Sequence, residues 1–252
     1  MAVLGSAFAT LPVCAQETSS SDDWSFAVGG GAAIKPEFEG SEDYEIIPIP
    51  ALRAERGPYY VSLDAYTLRA NLVPSEVFNA GPIVNYRPKR GSADNNAVDD
   101  LENVDPAVEV GAFGSMFLNG FILNGSVSHD VANGHDGLLA TAGTGFGFPV
   151  GEDIGVSAVI STTYASGNYM STYFGIDNDN AARSGLDEYD ADGGFKDVGL
   201  TLTARYTFSP SLAVTGSTSF TRLIGDAADS PIVDDEGSEN QFTGAVTLVY
   251  MF

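Results

Sequence analysis

The sequence predicts an all-β fold: a transmembrane antiparallel up-and-down β-barrel of about 12 strands, with about 10 strands as the alternative. Three observations lead to this prediction. Large apolar residues recur at every second position, the residues between them are small, and short connections alternate with long ones. A secreted sandwich of two sheets is the competing fold, but its polar face would carry lysine, glutamate and arginine.

The composition of the chain limits its function class. The 252 residues include 11 lysines and arginines against 34 aspartates and glutamates, which gives a net charge of −23. Such a chain lacks the basic surface that a phosphate backbone requires, so nucleic-acid binding is excluded. Hydrophobic residues make up 44% of the chain, which is too many for a disordered acidic protein.

Residues 1–15 are uncharged and apolar, and they end in Val13-Cys14-Ala15, a small-residue pattern typical of a secretory signal peptide. We expect a signal peptide over residues 1–15 and a single barrel domain over residues 16–252. The usual basic n-region is missing, which indicates a truncated or misassigned start. A short buried helix and a lipid-modified Cys14 are the alternatives for this segment, although Pro12 and Val13 fit them poorly.

Cleavage of this signal would remove the only cysteine. The exported chain would then have no thiol for catalysis, metal binding or a disulfide. No later window of about 18 continuous apolar residues predicts a spanning helix. An exported chain of this kind is either free in the periplasm or medium, or it is a β-barrel.

Strand periodicity extends through most of the chain. In the segment 198–208, for example, Val198, Leu200 and Leu202 share one face, while Gly199 and Thr201 lie on the other. Small polar residues opposite a large apolar face fit a barrel with lipid outside and a narrow polar interior. Alternating segments occur at 24–34, 59–72, 78–87, 108–118, 120–130, 137–148, 154–164, 198–208, 211–224 and 241–252.

The strand count depends on residues 59–72. Both termini of an outer-membrane barrel lie on the periplasmic side, so the number of strands is even, whereas the segments number about 11. The apolar phase switches between Leu63 and Tyr66, which indicates either a bulge or a turn near Asp64-Ala65. A turn there divides the segment into two short strands and predicts 12 strands in total.

The connections follow the pattern of outer-membrane barrels, in which short periplasmic turns alternate with long external loops. Short links are predicted at residues 56–58, 119–120, 149–153 and 209–211, and long ones near 34–44, 88–105, 165–195 and 225–239. The acidic residues concentrate in four stretches that hold 23 of the 34 aspartates and glutamates: 37–45, 94–105, 177–197 and 226–239.

Two of these acidic stretches have the oxygen density that calcium favours, at Asp177–Asp179 and Asp190–Asp192. Neither continues into a calcium-binding loop with a closing glutamate, so we interpret them as solvated loops and assign no metal ligand.

Candidate catalytic residues are few. His129 and His135 are the only histidines, and Ser128-His129-Asp130 resembles a catalytic string. Adjacent residues of a strand point to opposite faces, so this contiguity argues against a triad, and a lipid hydrolase centred on His129 is a weak hypothesis.

The glycines from Gly143 to Gly147 lack the spacing and following helix of a dinucleotide loop, and are better explained by crowding inside a barrel. We therefore predict a protein that is not an enzyme, with no catalytic or cofactor-binding residues and no cofactor.

Several blocks along the chain together identify a family resemblance. The blocks are Lys35–Tyr44 running into Ile47–Pro50, Gly81–Arg87 with Arg90-Gly91, Tyr169–Gly175 with Ala181–Tyr189, and Leu223–Val233. The terminal aromatic Phe252, in phase with Tyr250, is also similar to the signal that directs barrel assembly. With these blocks, the chain resembles the MipA/OmpV family of Gram-negative outer-membrane proteins, named for the MltA-interacting protein, from about residue 28 to its end.

The resemblance implies a barrel in the outer membrane, in contact with lipid. It also implies a scaffold that links peptidoglycan hydrolase and synthase, with a murein transglycosylase and a penicillin-binding synthase as partners. A narrow channel is the alternative, with acidic external loops that favour cations or small solutes. The family offers no agreed catalytic residues. Within the matching loops, Gly40, Gly185 and Gly225 are expected at turns, and Pro48, Pro50 and Pro231 are expected to fix extended backbone.

Overall fold

The computed structural model describes residues 23–91 and 95–252, which form a closed barrel of 12 antiparallel strands. Each strand pairs with its sequence neighbours, and β1 pairs with β12 to close the wall. The 12-strand prediction is confirmed and the ten-strand alternative is wrong. The strands are β1 (Ser25–Pro36), β2 (Tyr44–Arg56), β3 (Tyr59–Asp64), β4 (Thr67–Asn71), β5 (Phe78–Arg87), β6 (Ala107–Leu118), β7 (Phe121–Asp130), β8 (Leu138–Val150), β9 (Ile154–Ala165), β10 (Gly194–Ser209), β11 (Leu212–Leu223) and β12 (Asn240–Met251).

Short helices occupy the longer connections of the described chain. They are α1 (Asn96–Asp99), α2 (Gly167–Phe174), α3 (Asn178–Ser184) and α4 (Pro231–Asp234), with a 3₁₀ helix at Gly225–Ala227. None of the helices in residues 23–91 and 95–252 has the length and apolar character needed to cross a membrane. The predicted signal peptide over residues 1–15 lies outside the described residues.

Side chains alternate between the outside and the inside of the barrel. On β12, Val246 and Leu248 face outward and are exposed, whereas Thr243 and Thr247 face inward and are buried. Thr203 of β10 is likewise buried between exposed neighbours. The predicted apolar and small polar faces are therefore confirmed as the outer and inner faces of one wall.

The barrel wall is lower at one place, where two short strands form a hairpin. β3 and β4 contain 6 and 5 residues, and Ala65 turns the chain between them with a φ of 50°. The predicted turn at Asp64-Ala65 is confirmed. β2 pairs with β3 only from Ala51 onward, so within the described chain residues 44–49 of β2 have a strand partner in β1 alone. The wall is lower above this hairpin than elsewhere.

The two ends of the barrel differ in their connections. Within the described chain, one end, which we call the turn end, has short links at residues 57–58, 72–77, 119–120, 151–153 and 210–211. The opposite end, which we call the loop end, has the connections 37–43, 65–66, 88–106, 131–137, 166–193 and 224–239. The alternation of short and long links is as predicted, and the 131–137 connection is an additional loop-end segment.

The three glycines predicted at turns all have left-handed backbone. The φ angles of Gly40, Gly185 and Gly225 are 100°, 77° and 56°. A side chain is rarely accommodated there, because Cβ would meet the neighbouring carbonyl oxygen. The predicted role of these glycines is confirmed.

The prediction for the prolines is correct at two positions and wrong at the third. Pro48 and Pro50 lie in the extended strand β2. Pro231 does not fix extended backbone, because it is the first residue of α4. The missing N–H of proline costs nothing at that helical position, and its fixed φ suits a helix, so the sequence Ser230-Pro231 begins a helix instead.

Glycines that face inward let neighbouring strands approach closely. A Cβ atom on Gly111 would lie 1.8 Å from the Val127 carbonyl oxygen, and one on Gly145 would lie 2.0 Å from that of Ala158. Gly145 belongs to the glycine run of β8, which lies in the wall and does not precede a helix. Glycine is required at these positions because the opposing group is backbone and cannot move aside.

We expect Gly111→Ala to destabilise the barrel by about 2 kcal/mol, because the added methyl group overpacks against the β7 backbone. The matched control is Gly216→Ala on β11, where a Cβ would have no neighbour within 4 Å. The control should remain within about 1 kcal/mol of the wild type. Urea unfolding of the refolded protein in detergent measures both. Equal stability of the two variants would contradict the proposed close approach.

Candidate functional site

The connection 166–193 folds inward at the loop end, and its first helix, α2, lies across the barrel. The helix follows Ser166, whose hydroxyl accepts a hydrogen bond of 2.9 Å from the Leu138 backbone N–H. The side chains of Tyr169, Met170 and Phe174 are fully buried, with at most 1% of their surface exposed. We call α2 the plug helix.

The plug helix is held by an apolar cluster drawn from distant parts of the chain. Its buried residues recur at spacings of one and four, which places them on one face of the helix. That face packs on Leu139 of β8, Leu223 of β11 and Val233 of α4. A helix of eight residues is marginal by itself, so tertiary packing is what keeps it folded.

A first ion network joins the plug helix to β10 and to the first loop. The Glu39 carboxylate accepts hydrogen bonds of 2.6 Å from both the Tyr169 hydroxyl and the Lys196 ammonium group. Lys196 also donates to Asp197 at 2.7 Å. Lys196 is buried, so these two carboxylates neutralise a charge that would otherwise be very costly inside the protein.

Two acidic residues that were predicted to lie in connections lie in strands instead. The stretches 37–45 and 177–197 place Glu45 and Asp197 among the connections, whereas both lie in strands, β2 and β10. Glu45 pairs with Lys35, and Asp197 pairs with Lys196. These two acids therefore belong to the barrel wall.

A second ion network also contacts the plug helix and is centred on Glu109 of β6. Its carboxylate lies 2.9 Å from Arg87 and 3.3 Å from the His135 ring, and it accepts a hydrogen bond of 3.1 Å from Ser128. Glu109 is only 2% exposed. Groups from β5, from β7 and from the 131–137 connection thus converge on one buried carboxylate.

Arg87 connects this second network to the plug helix. Its guanidinium carbon lies 5.2 Å from the ring centre of Tyr169 and 5.5 Å from that of Tyr173. The centres of the two rings lie 4.5 Å apart, with their planes tilted by 34°. A guanidinium group over aromatic faces is attracted by the ring quadrupoles, and more strongly where water is excluded.

Asp130 shapes the connection that carries His135. Its carboxylate accepts backbone hydrogen bonds from Ala132 at 2.9 Å, His135 at 2.8 Å and Asp136 at 3.1 Å. The turn places the His135 ring 5.0 Å from Tyr169, edge to face. Asp130 therefore has a structural role, since it orders the turn that supports the plug helix.

Protonation states at the plug helix follow from burial and neighbouring charge. Burial would raise the pKa of the Glu39 carboxyl, but neighbouring positive charges, of which the Lys196 ammonium is the strongest, together hold the pKa well below its usual range. Burial raises the pKa of Tyr169 well above its ordinary value and that of Tyr173 to about 12. At neutral pH, Glu39 is charged and both phenols are protonated, so Tyr169 donates to Glu39 as a neutral phenol.

The side chains of Ser128, His129 and Asp130 do not share one face of the barrel wall. Ser128 and Asp130 are buried inside the barrel, whereas His129 points outward and is exposed, with its Nδ1 at 2.9 Å from the Gly137 carbonyl oxygen. The imidazole ring therefore lies on the other face of the strand from the hydroxyl. This arrangement follows from the strand alternation that argued against a triad.

Sequence reasoning did not assign a role to the residues that build this site. The sequence shows inward-facing charge at Arg87 and Glu109, and a search for charged residues on the small-residue face would have found these two. It holds no comparable signal for Glu39 or Tyr169, which meet although they are 130 positions apart.

The acidic loops do not assemble a metal centre among the described residues. Residues 23–91 and 95–252 contain no group of three or more His, Cys, Asp or Glu side chains that could hold a metal ion. Asp177, one of the residues considered for calcium, instead caps α3 by accepting a hydrogen bond of 2.8 Å from the Asn180 N–H.

Comparison with known proteins gives consistent matches. The family model of the MltA-interacting protein MipA matches residues 28–252. The outer membrane protein OmpV of Vibrio cholerae is 29% identical over 185 residues, which cover 69% of this chain and 68% of OmpV. The MltA-interacting protein of Escherichia coli K12 is 23% identical over 241 residues, with 90% of each chain covered. A solved outer membrane channel from Pseudomonas putida F1 is 11% identical, covers 92% of this chain and 96% of its own, and has a TM-score of 0.49.

We expect Glu39→Gln to loosen the plug helix, because it removes the charge that faces Lys196 and Tyr169. Loss of a charge-assisted contact of about 1.5–3 kcal/mol should raise the population of the open loop more than about tenfold. Limited trypsin digestion reports this opening through cleavage after Arg183, an exposed residue of α3 in the same connection.

Glu45→Gln is the matched control for this experiment. Glu45 also pairs with a lysine, Lys35, but 43% of its side chain is exposed, and exposed pairs contribute less than about 1 kcal/mol. The control should therefore change the cleavage rate little. Indistinguishable cleavage rates for the two variants would show that Glu39 does not hold the plug helix.

Proposed function

Because the chain belongs to the family of the MltA-interacting protein MipA, we propose that it is a non-enzymatic scaffold that holds a murein transglycosylase at the outer membrane. It is an outer-membrane β-barrel protein of this family. The name of the Escherichia coli relative, the MltA-interacting protein, supports a transglycosylase as the partner, and the two chains align over 90% of their length.

The observation that supports a scaffold most strongly is the buried plug helix. The loop end of the lumen contains a packed helix and two ion networks, centred on Glu39 and Glu109. A loop end packed in this way does not resemble the continuous polar passage of an open pore. Ser128 and His129 lie on opposite faces of the wall, which supports the non-enzymatic part of the proposal.

We expect the partner to bind at the turn end of the barrel. Long loops face outward in outer-membrane barrels, so the turn end with both termini of the barrel faces the periplasm. The turns there are short and offer little surface individually. A partner would have to lie flat across several of them to bury about 800 Å² per side, the area of a typical stable interface.

Charge at the turn end suggests the chemistry of that contact. Glu76, Glu152 and Asp153 are exposed in two of its links, alongside Arg56. The excess of acid would attract a basic surface of the partner and would mainly affect the rate of encounter. We therefore propose that the transglycosylase approaches this end with a basic patch.

We expect the combined substitution of Glu76→Gln, Glu152→Gln and Asp153→Asn to lower transglycosylase retention on the immobilised barrel at least about fivefold at low salt. The matched control replaces Asp179, Asp187 and Asp190 by asparagine, three exposed acids of the loop end. Both variants change the net charge equally, and only the first should lose binding. Failure of the wild type to retain a transglycosylase or a penicillin-binding synthase from detergent extracts would overturn the proposal.

A channel is the second candidate, and the inner face of β8–β11 favours it. Inward residues there are mainly small or polar, among them Thr141, Ser157, Thr201 and Ser217. Twelve strands can enclose either a passage or a filled lumen. Acidic loops at the entrance would favour cations over anions.

Planar-bilayer recording distinguishes the two candidates. We expect no stable conductance from the wild type, because the plug helix and its ion networks lie across the barrel. A channel would instead give a small conductance that prefers cations and that rises in Glu39→Gln, since this variant loosens the plug helix. Glu45→Gln serves again as the control. A cation-selective wild-type conductance would favour the channel and contradict a scaffold with a filled interior.

A further inference from the structure

A separate cavity lies at the loop end beside the plug helix. It has a volume of about 110 Å³, which is room for a small solute, since a water molecule occupies about 30 Å³ in the liquid. Its walls come from the loop-end parts of β1, β2, β5, β11 and β12, from the connections that follow β1 and β5, and from Tyr173 of the plug helix. It lies where β2 and β5 extend beyond the short β3–β4 hairpin.

Basic residues are concentrated in the wall of this cavity. Lys35, Arg87, Lys89 and Arg90 all line it, which is 4 of the 11 lysines and arginines in a chain of net charge −23. Lys35 and Arg87 are paired with the carboxylates of Glu45 and Glu109. The other two have no ion pair among the described residues.

Arg90 is the more buried of these two. Its Nη1 donates a hydrogen bond of 2.9 Å to the Tyr173 carbonyl oxygen, which fixes the guanidinium beside the plug helix. Burial lowers the pKa of Arg90, since nearby negative charge does not compensate for the lost water. A guanidinium group has five N–H donors in a planar fork, and a carboxylate can accept two of them together.

Tyr173 provides a second, independent indication of a ligand. It lines the same cavity, is only 6% exposed, and its buried hydroxyl oxygen has no hydrogen-bond partner among the described residues. An unsatisfied buried hydroxyl costs about 1–3 kcal/mol, and such groups are rare in folded proteins. A ligand oxygen in the cavity would satisfy it.

The acidic residues of the wall restrict the charge of that ligand. Glu39 and Glu45 line the cavity as well and are held in ion pairs with Lys196 and Lys35. Glu37 also lines it. These carboxylates would repel a dianion such as phosphate more strongly than an ion of single charge. A monoanion that accepts hydrogen bonds in a plane fits the site best.

We propose that this cavity binds the carboxylate group of a small solute, with Arg90 and the Tyr173 hydroxyl as its donors and Lys89 at the entrance. This site is independent of the proposed scaffold function, because it lies at the loop end and needs no protein partner.

Acetate is the probe for the carboxylate. A ligand that binds only the folded state raises the midpoint of thermal unfolding. The midpoint of the refolded barrel in detergent is measured while sodium acetate replaces sodium chloride at constant ionic strength. We expect acetate to raise it for the wild type, and sodium phosphate to raise it less.

Two variants test the assigned donors. Arg90→Gln should weaken acetate binding at least about tenfold, and Tyr173→Phe, which removes only the hydroxyl, about threefold to tenfold. Arg222→Gln is the matched control, because Arg222 is an exposed loop-end arginine that pairs with Glu239 outside this cavity. Its acetate response should equal that of the wild type.

Three outcomes would overturn the proposal: no acetate response in the wild type, an unchanged response in Tyr173→Phe, or tighter binding of phosphate than of acetate. If Arg90→Gln fails to fold, Tyr173→Phe and the comparison of anions still decide the question. Loss of transglycosylase retention by the turn-end variant does not depend on acetate, so the two proposals can fail separately.

Discussion

Closure of the backbone hydrogen-bond ladder is the constraint on which the rest of this structure depends. In hydrocarbon, an N–H or C=O group without a partner costs several kcal/mol, so a sheet that crosses a membrane has to close on itself. Here β1 and β12 meet over eight residue pairs, from Ala27–Met251 to Ile34–Gly244. With closure given, the two faces of every strand acquire fixed environments. Apolar residues face lipid, small polar residues face the interior, and charge lies in the interior, in the connections and near the strand ends.

The net charge of −23 therefore describes the surface of the loops and not the interior. Inside the loop end, acids and bases are matched locally, as in the Lys196 contacts with Glu39 and Asp197. Replacing a matched buried charge by a neutral group would leave its partner unpaired, which is far more costly than loss of an exposed pair. The matched interior charges thus fix one position of the plug helix relative to the wall.

Much of the barrel could be predicted from the sequence, because strand alternation is a local property. The phase switch at Asp64-Ala65 gave the strand count, and glycine at Gly40, Gly185 and Gly225 gave three turns. Pro231 was interpreted wrongly because proline suits both extended backbone and the first turn of a helix. The plug helix was not predictable. Its eight residues have little helical signal, and its position depends on residues from four other parts of the chain.

The two prolines of β2 lie beside the low part of the wall above the β3–β4 hairpin, where β2 has a free edge. The Pro50 carbonyl oxygen accepts a hydrogen bond of 2.9 Å from Ala65, so the polar backbone groups of residue 50 point away from β1. By strand alternation those of Pro48 point the same way, toward the side on which residues 44–49 have no strand partner in the described chain.

Proline has no N–H to leave unsatisfied there, so this free edge presents fewer donors with which another strand could pair. The barrel is therefore not uniform around its axis. A lipid or protein that moves in the plane of the membrane can recognise the side of the barrel where the wall is lower, above the β3–β4 hairpin. The protein therefore presents two different sides within that plane.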